Sequence, residues 1–401
     1  MPSGSSRADQ VALHVRIGAL VVLSLQTLAA AEIRRSAFLS GDVSSSSSLL
    51  QVDTESLEAD PEWPYHGLCM QKKLFPQLWL LGAQKCATSL LAVDLMALGV
   101  KVNTNDGSKE AHFFDKWVND SVSGPEATAE EKRAWLRQLP DCTPGTGKRR
   151  LLADFTPSNL RNVPLPAGTR PTGSHWGSFF LRNTTRKLEE ISGSEMNVPQ
   201  LLKTFYGPAA SKTLTFVVMI REPLARMQSN WYHASQSYSD WKQCRDCKSK
   251  TFAGGLEATL HKARQAQPIY DDWLWTSLYA RHMERWLEHF DASQFYVIPV
   301  SQYSQGNRTA ICKDLADRMT FPMECQSLIG KRQPVNTHEH PPLETDVSEP
   351  LRKSYADLLQ SENQHLVKLL ASAHNSGAGL AGYEGPPGDE DAVRKWLHES
   401  W

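Results

Sequence analysis

Three short segments of this chain carry side chains whose types and spacing suit anion binding and proton transfer. The first is Gly82-Ala-Gln-Lys85-Cys-Ala-Thr88-Ser89. It follows an apolar run and opens a helical one. A glycine-initiated turn into a helix points backbone N–H groups outward at the positive end of the helix dipole, which suits a phosphate or sulfate. Gly82 and Ala87 frame the turn, Lys85 adds a mobile cation, and Thr88 and Ser89 add hydroxyl donors. In the Walker loop, lysine follows a second glycine and directly precedes Ser or Thr. Here Lys85 stands three residues before Thr88 and that glycine is missing. The spacing disfavours a P-loop kinase, and also a Gly-x-Gly-x-x-Gly dinucleotide turn. An ordinary turn with a solvated lysine has the same local pattern.

The second segment is Lys109-Glu110-Ala-His112-Phe113-Phe114. A carboxylate held against apolar surface has its pKa raised and can accept a proton near neutrality, so Glu110 is a candidate general base with His112 beside it. The plainer alternative is an exposed Lys-Glu pair before two core phenylalanines. The third is Arg221-Glu-Pro-Leu-Ala-Arg226-Met-Gln-Ser229. Arg221 at a strand end and Ser229 on the next helix can converge on one anion, for which guanidinium is the natural bidentate partner. A surface Arg–Glu pair is the alternative.

These segments need elements to hold them. Leu78–Leu81 is a short continuous apolar run, the pattern of a strand buried on both faces. Thr88 to Leu98 reads as a helix with Leu91, Leu95 and Leu98 on one face and Gly99 at its end. Leu214–Ile220 is a second buried strand, and Pro223 suits the first turn of a helix over Leu224–Tyr232. Residues 271–290 show the strongest helical periodicity of the chain, through Trp275, Leu278, Tyr279, His282, Trp286 and Phe290. Phe295–Val300 reads as a third strand and Glu349–Ser372 as a final helix. Strands alternating with helices predict an α/β fold, a three-layer sandwich around a mostly parallel sheet.

Taken together and in this order, the segments resemble the PAPS-dependent sulfotransferase superfamily (PAPS is 3′-phosphoadenosine 5′-phosphosulfate). The first is similar to its 5′-phosphosulfate loop and the third to its 3′-phosphate motif. Lys109–Asp115 resembles the "Glu-Pro-His-Phe-Phe-Asp" segment of the heparan sulfate branch, especially the glucosaminyl 3-O group. Asp154-Phe-Thr156-Pro157-Ser158 resembles "Glu-Lys-Thr-Pro-Ser", and Trp273–Phe290 resembles the long helix after the 3′-phosphate motif. The resemblance spans about Phe75 to Leu370 and implies a P-loop-like sulfotransferase fold. It implies that Gly82, Lys85, Ala87, Thr88 and Ser89 hold the 5′-phosphosulfate, with Lys85 also stabilising the leaving phosphate oxygen, that Arg221 and Ser229 hold the 3′-phosphate, and that Glu110 is the base on the acceptor with His112 beside it. Lys331 or Arg332, in a loose echo of a late family motif, would also contact the donor. The product would be adenosine 3′,5′-bisphosphate, no metal would be needed, and the acceptor would be a carbohydrate, such as a sulfated polysaccharide. Phe155 stands where the family has a lysine, which leaves open the same chemistry on a small molecule, lipid or tyrosine. A non-catalytic lumenal binding protein is the lower alternative.

The 401 residues, 40% apolar and 22% charged, exclude a largely disordered chain, and a net charge of −1 argues against a general nucleic-acid binder. Residues 1–31 read as a signal peptide or short signal anchor, with an apolar run from Ile17 to Ala31. Residues 32–73 read as a flexible, serine-rich stem, 74–375 as the catalytic domain and 376–401 as a tail. Pro/Gly/Ser-rich insertions are expected at about 161–200 and 238–256. Sequons at Asn119, Asn183 and Asn307 agree with a secretory, Golgi-lumenal glycoprotein, either secreted or single-pass type II. In such a compartment Cys312 and Cys325 can close a short loop and Cys244 and Cys247 a local bridge. A zinc site at Cys244-x-x-Cys247 lacks a second ligand pair.

Overall fold

The computed structural model describes residues 67–102, 109–115, 135–142, 150–161, 198–237, 251–264, 272–304, 307–328, 339–375, 380–382 and 385–397. The strands are β1 (Cys69–Met70), β2 (Lys73–Leu74), β3 (Pro76–Gly82), β4 (Lys101–Val102), β5 (Leu152–Asp154), β6 (Thr215–Ile220), β7 (Phe295–Pro299) and β8 (Ala381–Gly382). β1 and β2 form a small antiparallel hairpin, and the other six make one sheet in the order β4-β5-β3-β6-β7-β8. Every pairing in that sheet is parallel.

The apolar runs explain the order. Leu78–Leu81 in β3 and Phe216–Ile220 in β6 are buried along their whole length and take the two central places. Each such side chain contributes about 1.5–3 kcal/mol on burial. A strand covered on both faces must be flanked by helices, and these are α1 (Thr88–Ala97), α2 (Val198–Ala210), α3 (Pro223–Ser237), α4 (Phe252–Arg264), α5 (Asp272–Trp275), α6 (Tyr279–Leu287), α7 (Val300–Ser304), α8 (Arg308–Arg318), α9 (Leu343–Asp346), α10 (Glu349–Asn375) and α11 (Glu390–Leu397). The expected three-layer α/β arrangement is present.

Helix α1 ends as its sequence predicts. Gly99 has φ +96°, its N–H donates to Met96 O and that of Val100 donates to Leu95 O, the paired bonds of a Schellman stop. Asp94 sits on the buried face and is held by Arg308, with Nε–Oδ2 at 2.9 Å and Nη2–Oδ1 at 2.5 Å, and by the Tyr303 hydroxyl. This partly buried cluster ties α1 to α7 and α8.

Four expectations change. The periodic stretch 271–290 is not one helix: α5 and α6 are separated at Thr276–Leu278. The Trp273 carbonyl accepts from the buried Arg226 guanidinium and from Ser277 Oγ, so the helical ladder is interrupted there. Gly254 and Gly255 are not in a loop but inside α4. The Gly255 Cα faces the indoles of Trp273 and Trp231, where even a Cβ would lie 3.4 Å from the first. The region after residue 375 is not a detached tail: β8 pairs with Tyr296 and Val297 of β7, and Val393 and Leu397 of α11 are buried. Gly382 permits that pairing, because a Cβ there would meet Val297 O at 2.6 Å. The fold also begins before Leu74. The hairpin β1–β2 is tied by a Cys69–Cys142 disulfide to the stretch 135–142. Cys312–Cys325 is the second disulfide among the described residues, as its spacing allowed.

The run 17–31, the sequons at Asn119 and Asn183, Cys244, Cys247, and most of the insertions 161–200 and 238–256 lie outside the described residues. Asn307 is partly exposed at the start of α8. No helix among the described residues is long and apolar enough to cross a membrane.

Candidate functional site

The strand order locates the crevice. From β3 the chain returns through α1 to β4, toward one edge, whereas from β6 it runs through α3–α6 to β7, toward the other. With right-handed crossovers, α1 and the β6–β7 helices leave on opposite sides, which makes the carboxyl ends of β3 and β6 the switch point where open parallel sheets bind ligands. Gly82–Ser89 and Arg221 occupy those two ends.

The loop after β3 is fastened to the segments beside it. Gly82 has φ +145°, and a Cβ on it would meet Pro157 O at 2.5 Å, so only glycine fits. Ala83 N–H donates to Met219 O at 2.9 Å, fastening the loop to β6. Lys85 and Ala87, on either side of Cys86, both adopt left-handed φ (+68° and +57°). Strained backbone of this kind concentrates at ligand-binding turns. No side chain caps α1 at Ala87, and the amides of a first helical turn have no acceptor within the helix. Thr88 is buried and Ser89 partly exposed. Lys85 is half-buried with its pKa lowered to about 8. Burial is the main cause, the Glu110 charge opposes it, and the Lys109, Arg221 and Arg226 charges add to it. Lys85, Glu110 and Arg221, which are far apart in sequence, therefore share one electrostatic neighbourhood.

Phe113 and Phe114 are core residues. Phe113 stacks on Trp135 at 4.5 Å and Phe114 meets Trp79 edge-on at 5.3 Å. This anchor fixes the polar residues around it. Glu110 is bonded to Lys109 Nζ and lies 3.0 Å from His112 Nε2 through Oε2. His112 Nδ1 lies 2.8 Å from Oδ2 of the buried Asp115, which also accepts from Ser158 Oγ at 2.5 Å. The His112 backbone, at φ +48°, donates to Thr156 Oγ1 at 3.1 Å, and Thr156 N–H donates to Asp154 Oδ1 at 2.9 Å. The segment Asp154–Ser158 after β5 is thus the support of the Glu110–His112 turn. Phe155 within it is fully buried and is a core residue.

The electrostatics differ from the sequence expectation. Burial does push the Glu110 carboxyl up, but the His112 hydrogen bond and the Lys109 cation outweigh it, so its pKa is lowered rather than raised. His112 shows the complement: burial disfavours its charge, yet the bonds and charges of Asp115 and Glu110 hold it up to about 10. At neutral pH the pair is carboxylate and imidazolium.

At the end of β6, Glu222 caps α3, with Oε1 and Oε2 accepting from Leu224 N–H (2.9 Å) and Ala225 N–H (2.6 Å); Pro223 takes the first helical position. Arg221 is partly exposed beside it, and Ser229 lies on α3 with partial exposure. Lys331 and Arg332 lie outside the described residues. Sequence reasoning gave no role to Arg226, which is fully buried. Its signal was a charged residue between the core positions Leu224 and Met227. It likewise gave none to Asp115, whose signal was a carboxylate one helical turn after His112.

No protein-family profile matches the chain, and no curated protein sequence matches it. Among solved structures, a sulfotransferase from Alicyclobacillus acidocaldarius is similar over 74% of this chain and 95% of its own, with 17% identity and a TM-score of 0.42.

Proposed function

We propose that this chain is a sulfotransferase of the secretory pathway, moving a sulfuryl group from PAPS to a hydroxyl or amine of a carbohydrate. The observation that carries the reading is the meeting of Lys85, Arg221 and Glu110 at the switch point of the sheet. An uncapped helix start with a lysine suits the 5′-phosphosulfate, and an arginine at the next strand end suits a second phosphate. Thr88 and Ser89 would add hydroxyl contacts to the former, Ser229 to the latter. The two disulfides, with the sequons and the apolar N-terminal run, support an oxidising lumen.

In the reaction, the acceptor oxygen or nitrogen forms a bond to sulfur while the bond from sulfur to the 5′-phosphate oxygen breaks. The electron pair leaves with adenosine 3′,5′-bisphosphate, where Lys85 and the loop amides meet the growing charge. The acceptor proton passes to Glu110. A carboxylate of lowered pKa is a weak base, but the proton becomes acidic only as the new bond forms, and a group that is always ionised at neutral pH is then in place. His112, charged and pinned by Asp115, orients that carboxylate.

Binding of adenosine 3′,5′-bisphosphate against ATP, followed by thermal shift, tests the donor. Tighter ATP binding refutes the reading. Labelled PAPS offered to a panel of polysaccharides tests the acceptor, and absence of transfer to every sugar moves the assignment to a small-molecule acceptor.

A further inference from the structure

The two loops at the switch point are cross-linked beneath the surface by side chains that the reaction does not use. Tyr279, the first residue of α6, is fully buried, and its O–H donates to the Arg221 carbonyl at 2.9 Å. Its oxygen lies 3.5 Å from Sγ of the buried Cys86, so the thiol donates to the phenol. Burial raises the pKa of both groups, which keeps them neutral hydrogen-bonding partners. A second tie runs parallel. Arg226 donates from Nη1 to Gln84 O at 3.3 Å and from Nε to Ser277 Oγ at 2.8 Å, and its Nη2 bonds Trp273 O. The turn after β3 and the turn after β6 are therefore held to each other, and to the α5–α6 break, by four side chains.

We infer that Tyr279 and Cys86 are positioning residues that set the spacing of the two anion subsites, so that a nucleotide with phosphates at both 5′ and 3′ positions binds a preformed pair. This rests on the nucleotide reading above. A ligand with two anionic groups gains from the second only when the second subsite is already in place; otherwise ordering that loop consumes the gain. A ligand with one phosphate has no such requirement. Loosening the Cys86–Tyr279–Arg221 chain should weaken the bisphosphate selectively.

The test compares the dissociation constants of adenosine 5′-monophosphate and adenosine 3′,5′-bisphosphate, measured by calorimetry on the full chain at fixed ionic strength. In the wild type their ratio is the benefit of the second phosphate. Tyr279→Phe deletes one hydrogen bond from each neighbour and should reduce that ratio roughly three- to tenfold. Cys86→Ala should reduce it in the same direction, and Cys86→Ser, which keeps a donor, should restore it. An equal loss for both nucleotides, or an unchanged ratio in Tyr279→Phe, overturns the inference. If Tyr279→Phe does not fold, the Cys86→Ala and Cys86→Ser pair decides on the same ratio. A wild type that gains nothing from the second phosphate overturns the nucleotide reading and the inference with it, whereas a wild-type gain that the variants retain overturns the inference alone.

Discussion

Lys85 should make donor affinity pH-dependent in a window where few other groups titrate. Its pKa of about 8 arises mainly from burial, with the Lys109, Arg221 and Arg226 charges adding to it and Glu110 opposing. One unit above that value only about a tenth of the molecules carry the charge, so affinity for adenosine 3′,5′-bisphosphate should be level near neutrality and fall by about tenfold per pH unit above 8. The ligand does not confuse the profile, because a phosphate monoester loses its last proton near ~6. Calorimetry in two buffers of different ionisation enthalpy reads the same event directly, as uptake of about one proton on binding above the midpoint. Two variants fix the assignment. Lys85→Arg, whose guanidinium keeps its proton past about pH 12, should flatten the profile. Glu110→Gln removes the charge that favours protonation, so the midpoint should move below 8. A wild-type profile that stays flat through about pH 9.5, or a Lys85→Arg profile that falls like the wild type, refutes the reasoning.

If Glu110 is the base on the acceptor proposed above, Glu110→Gln should abolish transfer while changing donor binding near neutrality by no more than about threefold; equal loss of both, in a PAPS assay and a binding assay, would make Glu110 structural. His112 is held at about 10 by Asp115 and Glu110. Since its folded pKa lies above the ordinary 6.5, its contribution to stability is full below about 6.5 and is lost as pH rises through about 10. Asp115→Asn should lower the His112 pKa, read from its imidazole NMR shifts, and reduce that slope in melting curves, the remainder being the part due to Glu110. Gly82→Ala should destabilise by about 2 kcal/mol or more in urea melts, because its Cβ would collide with Pro157 O at φ +145°. Replacing Cys69 and Cys142 with serine should cost about 4 kcal/mol, and replacing Cys312 and Cys325 about 3 kcal/mol, from sequence separations of 73 and 13.

Local patterns carried much of the architecture. An uninterrupted apolar run such as Leu78–Leu81 has no face to offer water, and it is central in the sheet. Gly99 stops α1 because a left-handed stop favours glycine, a property of the residue itself. The order strand, loop with lysine, helix, and the separate strand ending in Arg221, were both legible for the same reason. The spacing of Cys312 and Cys325 also pointed to their bridge. What the sequence could not decide was anything that depended on a distant partner. Periodicity predicts one helix over 271–290, but Arg226, some fifty residues earlier, takes the Trp273 carbonyl and breaks it. Two adjacent glycines read as a loop until Trp231 and Trp273 arrive to fill the space beside Gly255. The glycine-rich stretch after residue 375 reads as a tail until β7 offers an edge to pair with. Glu110 shows a different limit: the two phenylalanines after it suggest a raised pKa, but whether Lys109 and His112, near in sequence, bond its carboxylate depends on a turn braced from Asp115 and the segment after β5, and there they lower it. Residue type and spacing determine which groups can bind an anion or move a proton; only the fold determines which charges stand beside them.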